Sequence, residues 1–176
     1  EFEKDIDLGD GVTMRISPNG HILGSAFVRI HDAKTSILFS GDIGRPNDVL
    51  MKPPTQIKQA DYLVVESTYG DRVHDKTDPK IKLAAAINRT ISRGGKVIIP
   101  VFAVGRAQEL LYYIHLLKVK GSIPDVPVYL NSPMAVDATE IFNRHSGEHR
   151  LSSSECEAMF HTAHMVNTVE QSKALN

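Results

Sequence analysis

The hydrophobic period of this chain changes partway along, and that change constrains its fold more than any other feature. Up to about residue 40 the apolar residues alternate: Val12, Met14 and Ile16 on one parity, Ala26, Val28 and Ile30 against Phe27 and Arg29, then Ile37-Leu38-Phe39. A period of two sends successive side chains to opposite faces, so three strands are expected here. Gly9-Asp10-Gly11 and Pro18-Asn19-Gly20 supply turns, and Asp32-Ala33-Lys34 is a polar connection suited to antiparallel neighbours. Gly44-Arg45-Pro46-Asn47-Asp48 and Pro53-Pro54 exclude a long regular element, so this stretch reads as an ordered loop.

Tyr62-Leu63-Val64-Val65 reads as a buried strand ending on Glu66, and from there helices alternate with strands. Ile81, Ala84, Ala85, Asn88 and Ile91 mark one face of a helix from about Pro79 to Arg93, closed by Gly94-Gly95. Lys96 to Phe102 reads as an apolar strand. A second helix begins near Gly105, with Ala107, Leu110, Leu111, Ile114 and Leu117 inward and Gly121 as its stop. Val126 to Leu130 reads as a strand, and Pro133 to Asn143 as a helix burying Ala138, Ile141 and Phe142. Ser152-Ser153-Ser154-Glu155 has the form of a capping box for a short helix through Phe160, with a further strand near Met165 to Val169 and a terminal helix. The order predicts an α/β chain in which an antiparallel sheet is followed by a parallel, Rossmann-like unit with right-handed crossovers. The composition changes between Tyr69 and Lys76.

Bulk properties narrow the function classes. At 41% hydrophobic content, 176 residues suffice for a packed core. Lys+Arg 20 against Asp+Glu 21 gives a net charge of -1, so no overall basic field advertises nucleic acid, although a local basic groove is compatible with it. One cysteine, Cys156, cannot form an internal disulfide and favours a reducing compartment, the cytoplasm by default. Neither a membrane-spanning run nor an export signal is present in these residues.

Three polar motifs stand at or just beyond strand ends: Gly20-His21, Ser40-Gly41-Asp42 and Glu66-Ser67-Thr68-Tyr69-Gly70. An imidazole and two carboxylates delivered to one sheet edge suit an oxygen- and nitrogen-liganded metal centre for hydrolysis. Each also has a plainer reading. Asp42 can be a turn aspartate bonding the following amides, Glu66 a turn carboxylate paired with Arg72, and His21 a structural hydrogen bonder. Gly105-Arg106, at a strand-to-helix junction, offers amides and a guanidinium to a phosphate, or is an ordinary helix start. Ser132-Pro133 offers a similar amide cluster at the next junction. His161 and His164, at a three-residue step, read as surface or packing groups, and Cys156 as structural.

Taken together, Gly20-His21-Ile22-Leu23-Gly24-Ser25-Ala26, Ser40-Gly41-Asp42, Val65-Glu66-Ser67-Thr68-Tyr69-Gly70, the run from Pro100 to Leu111 and Ser172-Lys173-Ala174-Leu175-Asn176 resemble the metallo-β-lactamase-fold nucleases with a β-CASP insertion. These are relatives of the cleavage and polyadenylation endonuclease and of prokaryotic RNA-processing exonucleases. The resemblance keeps motif order along nearly the whole chain. It implies a partial metallo-β-lactamase sheet over residues 1–70 and most of a β-CASP domain over 71–176. His21 would bind one zinc and Asp42 would bridge two, while Glu66 would sit beside the metals as a catalytic-site acid outside the principal ligand set. The implied reaction is hydrolysis of an RNA phosphodiester by a metal-activated hydroxide. Gly105, Arg106 and Ser132 would contact the substrate, Gly105-Arg106 from the β-CASP wall of the cleft.

Departures from the family pattern shape the expectation as much as the matches. The HxHxDH motif that precedes Gly-His in the family is absent, as are the later glycine-rich segment and two histidines. His74 and His164 do not match them. Asn19 replaces an alanine that often precedes Gly-His. The chain therefore resembles an internal fragment of a zinc ribonuclease, binding zinc weakly or not at all and inactive by itself. A catalytically silent RNA-binding or dimerisation scaffold is the alternative, and a small-molecule hydrolase is disfavoured by the β-CASP-like half. RNA is the expected partner, a homodimer of the parent is compatible with the sequence, and no membrane partner is expected.

Overall fold

In the computed structural model, which describes residues 1–175, antiparallel hairpins build most of one sheet and a single parallel pairing extends it. Its strands are β1 (Asp5–Gly9), β2 (Val12–Pro18), β3 (Ala26–His31), β4 (Ser36–Phe39) and β5 (Tyr62–Val64), in the spatial order β1-β2-β3-β4-β5. β2 pairs β3 antiparallel from Thr13↔His31 to Pro18↔Ala26, β3 pairs β4 antiparallel, and β4 pairs β5 in parallel from Ile37↔Tyr62 to Phe39↔Val64. β2, β4 and β5 consequently run the same way, and their carboxyl ends share one edge of the sheet. That edge is where His21, Asp42 and Glu66 leave their strands.

The alternating positions of β2, β3 and β4 form strands as the sequence predicts. β1 was not anticipated, because its five residues Asp5-Ile6-Asp7-Leu8-Gly9 are all exposed and carry two charges. It is held by its ladder to β2 and by a two-pronged ion pair in which Arg15 donates to Asp5 at 2.7 and 2.9 Å. β5 is exposed rather than buried, as an edge strand of this sheet. The loop after Asp42 is ordered by residues distant in sequence: Arg150 donates to the carbonyls of Met51 and Pro46, each at 2.8 Å, and Met51 bridges His149.

The chain divides into two compact units, residues 1–73 with 148–150, and residues 74–147 with 151 onward. The second unit contains α1 (Pro79–Ile91), α2 (Arg106–Val119), β6 (Tyr129–Asn131), α3 (Pro133–Arg144), α4 (Ser153–Phe160), β7 (His164–Val166) and α5 (Val169–Lys173), and a short 3-10 turn (Ser146–Glu148) stands where the chain leaves it after α3. β6 and β7 pair in parallel. Helix starts follow the sequence signals closely. Asp78 caps α1, and at α4 Glu155 accepts from the Ser152 amide at 2.8 Å while its own amide donates back to the Ser152 hydroxyl.

Helix faces were less legible. In α1 Ile87 is buried and Leu83, Ala84 and Ile91 pack beside it against Ile114, Leu117 and Ile123, whereas Ile81 is exposed. In α3 the buried set is Ala135, Val136, Thr139 and Phe142, and Ile141 faces out. Lys96 to Phe102 forms no strand. No ladder partner lies beside it among the described residues, so its branched residues cannot pair, and Ile98 is 88% exposed. Asn176, the last residue of the Ser-Lys-Ala-Leu-Asn motif, lies outside the described residues. No helix among the described residues is long and apolar enough to cross a membrane.

Candidate metal centre and helix-start site

The three polar motifs converge because the ends of β2, β4 and β5 are stitched together by short hydrogen bonds. Ser40, buried at the end of β4, donates its amide to Val64 O at 2.9 Å, and its hydroxyl accepts from the Glu66 amide at 3.0 Å. Glu66 in turn accepts the Ile43 amide at 2.6 Å. The Asp42 turn is thereby clasped from both sides by the residue that opens the Glu-Ser-Thr-Tyr-Gly motif. Close loop contact requires glycine at two positions. Gly20 has φ +73°, and a Cβ there would stand 2.7 Å from the Lys52 carbonyl oxygen; a Cβ on Gly44 would collide with the Gly20 carbonyl.

His21 and Asp42 meet at this edge. His21 Nε2 lies 3.9 Å from Asp42 Oδ2, and both side chains are open to solvent, 46% and 70% exposed. Glu66 behaves differently. The Ile43 amide first, and then the Thr68 hydroxyl, hold its carboxyl below the usual glutamate range, with the neighbouring His21 adding to the effect. Its carboxylate is already committed to those donors, which suits an orienting acid better than a primary ligand. The alternative pairing with Arg72 is not made: Arg72 donates to Asp71 at 3.1 Å and lies over the Tyr69 ring.

These donors fit a zinc ion, which takes imidazole nitrogen and carboxylate oxygen at about 2.0–2.2 Å. Two ligands of one tetrahedral ion stand about 3.4 Å apart at such lengths, so the observed 3.9 Å needs only a small side-chain adjustment. Among the described residues no group of three or more His, Cys, Asp or Glu could hold a metal ion, so His21 and Asp42 would supply two ligands of a larger set.

The second unit carries the other candidate positions. Gly105 precedes α2 at φ +79°, and the amides at this start have internal acceptors: Gly105 N donates to Gln108 Oε1 at 2.7 Å, Arg106 N to Val104 O at 3.0 Å and Ala107 N to Phe102 O at 3.2 Å. The Arg106 guanidinium pairs with Glu109, leaving the arginine half-exposed. A phosphate would thus meet the guanidinium and helix dipole rather than idle amides. Ser132 caps α3, its hydroxyl accepting the Ala135 amide at 3.3 Å.

Two buried side-chain amides were not recognised as site-builders in the sequence. Asn19, 1% exposed, stands directly before Gly20-His21. Gln108, also 1% exposed, bonds Gly105 N, Ala103 O and Thr139 Oγ1 and fixes the α2 start to α3. The available signal was an uncharged amide at a glycine turn, directly before Gly20 for Asn19 and three residues after Gly105 for Gln108. Of the remaining candidates, His164 stacks on Tyr129 at 5.2 Å, and Cys156 is fully buried with its thiol pushed up by that burial.

Residues 107–176 match the Beta-Casp domain. The chain is 33% identical to a protein named Ribonuclease TTHA0252 from Thermus thermophilus, over 100% of this chain and 42% of that protein. It is 36% identical to an RNase J-like protein of Methanocaldococcus jannaschii, covering 80% of this chain and 34% of the other. It is also 36% identical to cleavage and polyadenylation specificity factor subunit 3 of Dictyostelium discoideum, over 72% of this chain and 17% of that one. The chain thus spans less than half the length of these curated relatives.

Proposed function

We infer the function of this chain from its place in the family to which it belongs, the β-CASP nucleases of the metallo-β-lactamase fold: it is a portion of a zinc-dependent ribonuclease, carrying two metal ligands and a substrate-binding unit. The observation that carries the reading is the delivery of His21 and Asp42 to one sheet edge with Nε2 and Oδ2 3.9 Å apart. Zinc, when bound, would supply the Lewis acidity that phosphodiester hydrolysis requires. His21 would offer an imidazole nitrogen to the ion, and Asp42 has two carboxylate oxygens, enough to contact more than one ion.

Glu66 stays ionised beside them because the Ile43 amide and Thr68 stabilise its charge. Its role is to hold the Asp42 turn and to keep negative charge near His21. Arg106, at the positive end of α2, binds a substrate phosphate by exchanging Glu109 for it, while Gly105 and Ser132 line their helix starts. RNA as substrate rests on the printed names of the relatives together with the Arg106 guanidinium at the positive end of α2. Two ligands do not retain a zinc pair, so the 176 residues alone are expected to be inactive.

The test is Asp42→Ala in the whole protein. Expected are loss of bound zinc and a fall in RNA cleavage of at least about 100-fold. Unchanged zinc content with unchanged cleavage would overturn the assignment. Cleavage of RNA by the purified 176-residue chain would overturn the two-ligand account. Specific RNA binding by a whole protein without zinc or turnover would instead favour a silent scaffold.

A further inference from the structure

One buried side chain joins the loops that carry His21 and Asp42, and it belongs to neither set of reacting groups. Asn19 accepts the His21 amide on Oδ1 at 3.3 Å and donates from Nδ2 to the Ser40 carbonyl at 2.9 Å. Its backbone donates to Ser25 O at 3.3 Å and accepts the Gly44 amide at 2.9 Å. The His21 N–H can only donate and the Ser40 carbonyl can only accept, so these partners fix which way the amide faces. Gly41 lies close enough that a Cβ there would approach Asn19 Nδ2 to 3.3 Å. Asn19 is therefore packed between the two turns, with bonds to residues 21 and 25 on one side and 40 and 44 on the other.

We propose that Asn19 is the positioning residue of this centre, setting the separation of His21 from Asp42 by fastening both turns to one amide. The proposal rests on the reading of His21 and Asp42 as metal ligands. Both side-chain partners of Asn19 are backbone groups, so it governs the path of the chain rather than the charge of a ligand. The effect reaches further through Ser40, whose carbonyl Asn19 holds and whose hydroxyl accepts the Glu66 amide. All three polar motifs hang from this line of contacts: Asn19 to Ser40 to Glu66. Alanine at position 19 has no group that bridges the turns, and water entering the gap would satisfy the freed polar atoms without restoring the spacing.

The experiment is zinc titration of the metal-stripped whole protein, followed by bound zinc and by the backbone amide resonances of residues 20–22 and 41–44, in wild type, Asn19→Ala, His21→Ala and Ile30→Ala. Ile30, next to last in β3 and opposite Met14 and Ile37, lies at the end of that strand remote from the His21 and Asp42 turns and serves as a control for lost stability. Asn19→Ala is expected to weaken zinc affinity about tenfold, the scale typical of groups that orient metal ligands, while Ile30→Ala leaves it within about twofold, well below that scale. If Asn19→Ala does not fold, Asn19→Ser makes the same test, since one short hydroxyl reaches at most one of the two partners.

Affinity of the Asn19 variant equal to wild type, or an equal loss in Ile30→Ala, overturns the positioning role and leaves the ligand reading standing. Affinity unchanged in His21→Ala, or no zinc bound by the wild-type whole protein, overturns the ligand reading itself.

Discussion

Each unit places one buried carboxamide at a loop that carries candidate site residues, yet the two amides do different physical work. Gln108 sits within the α2–α3 packing and bonds within the second unit's core, to Thr139 Oγ1 at 2.9 Å, while also holding the Gly105 turn. Asn19 sits beneath two turns whose candidate ligands, His21 and Asp42, are open to solvent. A buried amide within a core is repaid mainly as stability, because stripping its partners leaves polar atoms water cannot reach. One beneath exposed turns is repaid mainly as geometry, because water can replace its bonds but not its spacing. Local helix signals sufficed to locate the Gly105 turn, whereas the His21–Asp42 pair exists only through contacts between strand ends far apart in sequence.

The largest expected effect tests the stability side of this contrast. Gln108→Leu leaves the Gly105 amide and the Ala103 carbonyl without their side-chain partner and should cost about 2–4 kcal/mol in urea unfolding of the second unit. Asn19→Ala should cost about 1 kcal/mol in the first. Equal losses would erase the distinction.

Acid provides the next test, within the first sheet. The Ser36 hydroxyl and amide hold the Asp61 carboxyl below the usual aspartate range, pinning the start of β5 to β4. A depressed folded value means that this contribution is complete above the ordinary aspartate pKa and is lost as pH falls through the lower, folded value. Asp61→Asn should therefore lower the urea midpoint near neutrality, and the difference from wild type should vanish in strong acid. A gap that persists there would place the effect in packing. Glu66, also held low, should show the same sign at the other end of the strands, read from the Ile43 amide shift on acid titration.

The smallest effect belongs to Arg106. Its pairing with Glu109 is half-exposed, so Arg106→Ala should change stability by less than about 0.5 kcal/mol, while weakening RNA binding by the whole protein and flattening its salt dependence. A stability loss as large as that of Gln108→Leu would show that Arg106 is structural.

Much of the fold was legible because period and punctuation act locally. The alternation in residues 12–39 sets β2, β3 and β4, and Asp78, Ser132 and Ser152 mark their helix starts through side-chain bonds to nearby amides. Lys96 to Phe102 failed for the complementary reason: branched apolar residues favour a strand only when a partner accepts the ladder. β1 was hidden because an exposed edge strand needs no hydrophobic alternation. Ile81 and Ile141 were assigned inward from helical spacing, but which stripe of a helix is buried depends on the neighbouring helix, as Ile87 and Thr139 show.

At the candidate site, the sequence by itself supplied the polar groups and the strand ends on which they stand, His21, Asp42 and Glu66, since glycine and a polar residue after an apolar run are local signals. Only the tertiary structure decided that β2, β4 and β5 run the same way, that Glu66 is bound to the Ile43 amide, and that Asn19 links turns 21 residues apart. The physical reason is that side-chain chemistry is carried by each residue alone, whereas the distance between His21 and Asp42 is set by hydrogen bonds that form only after the strands have paired.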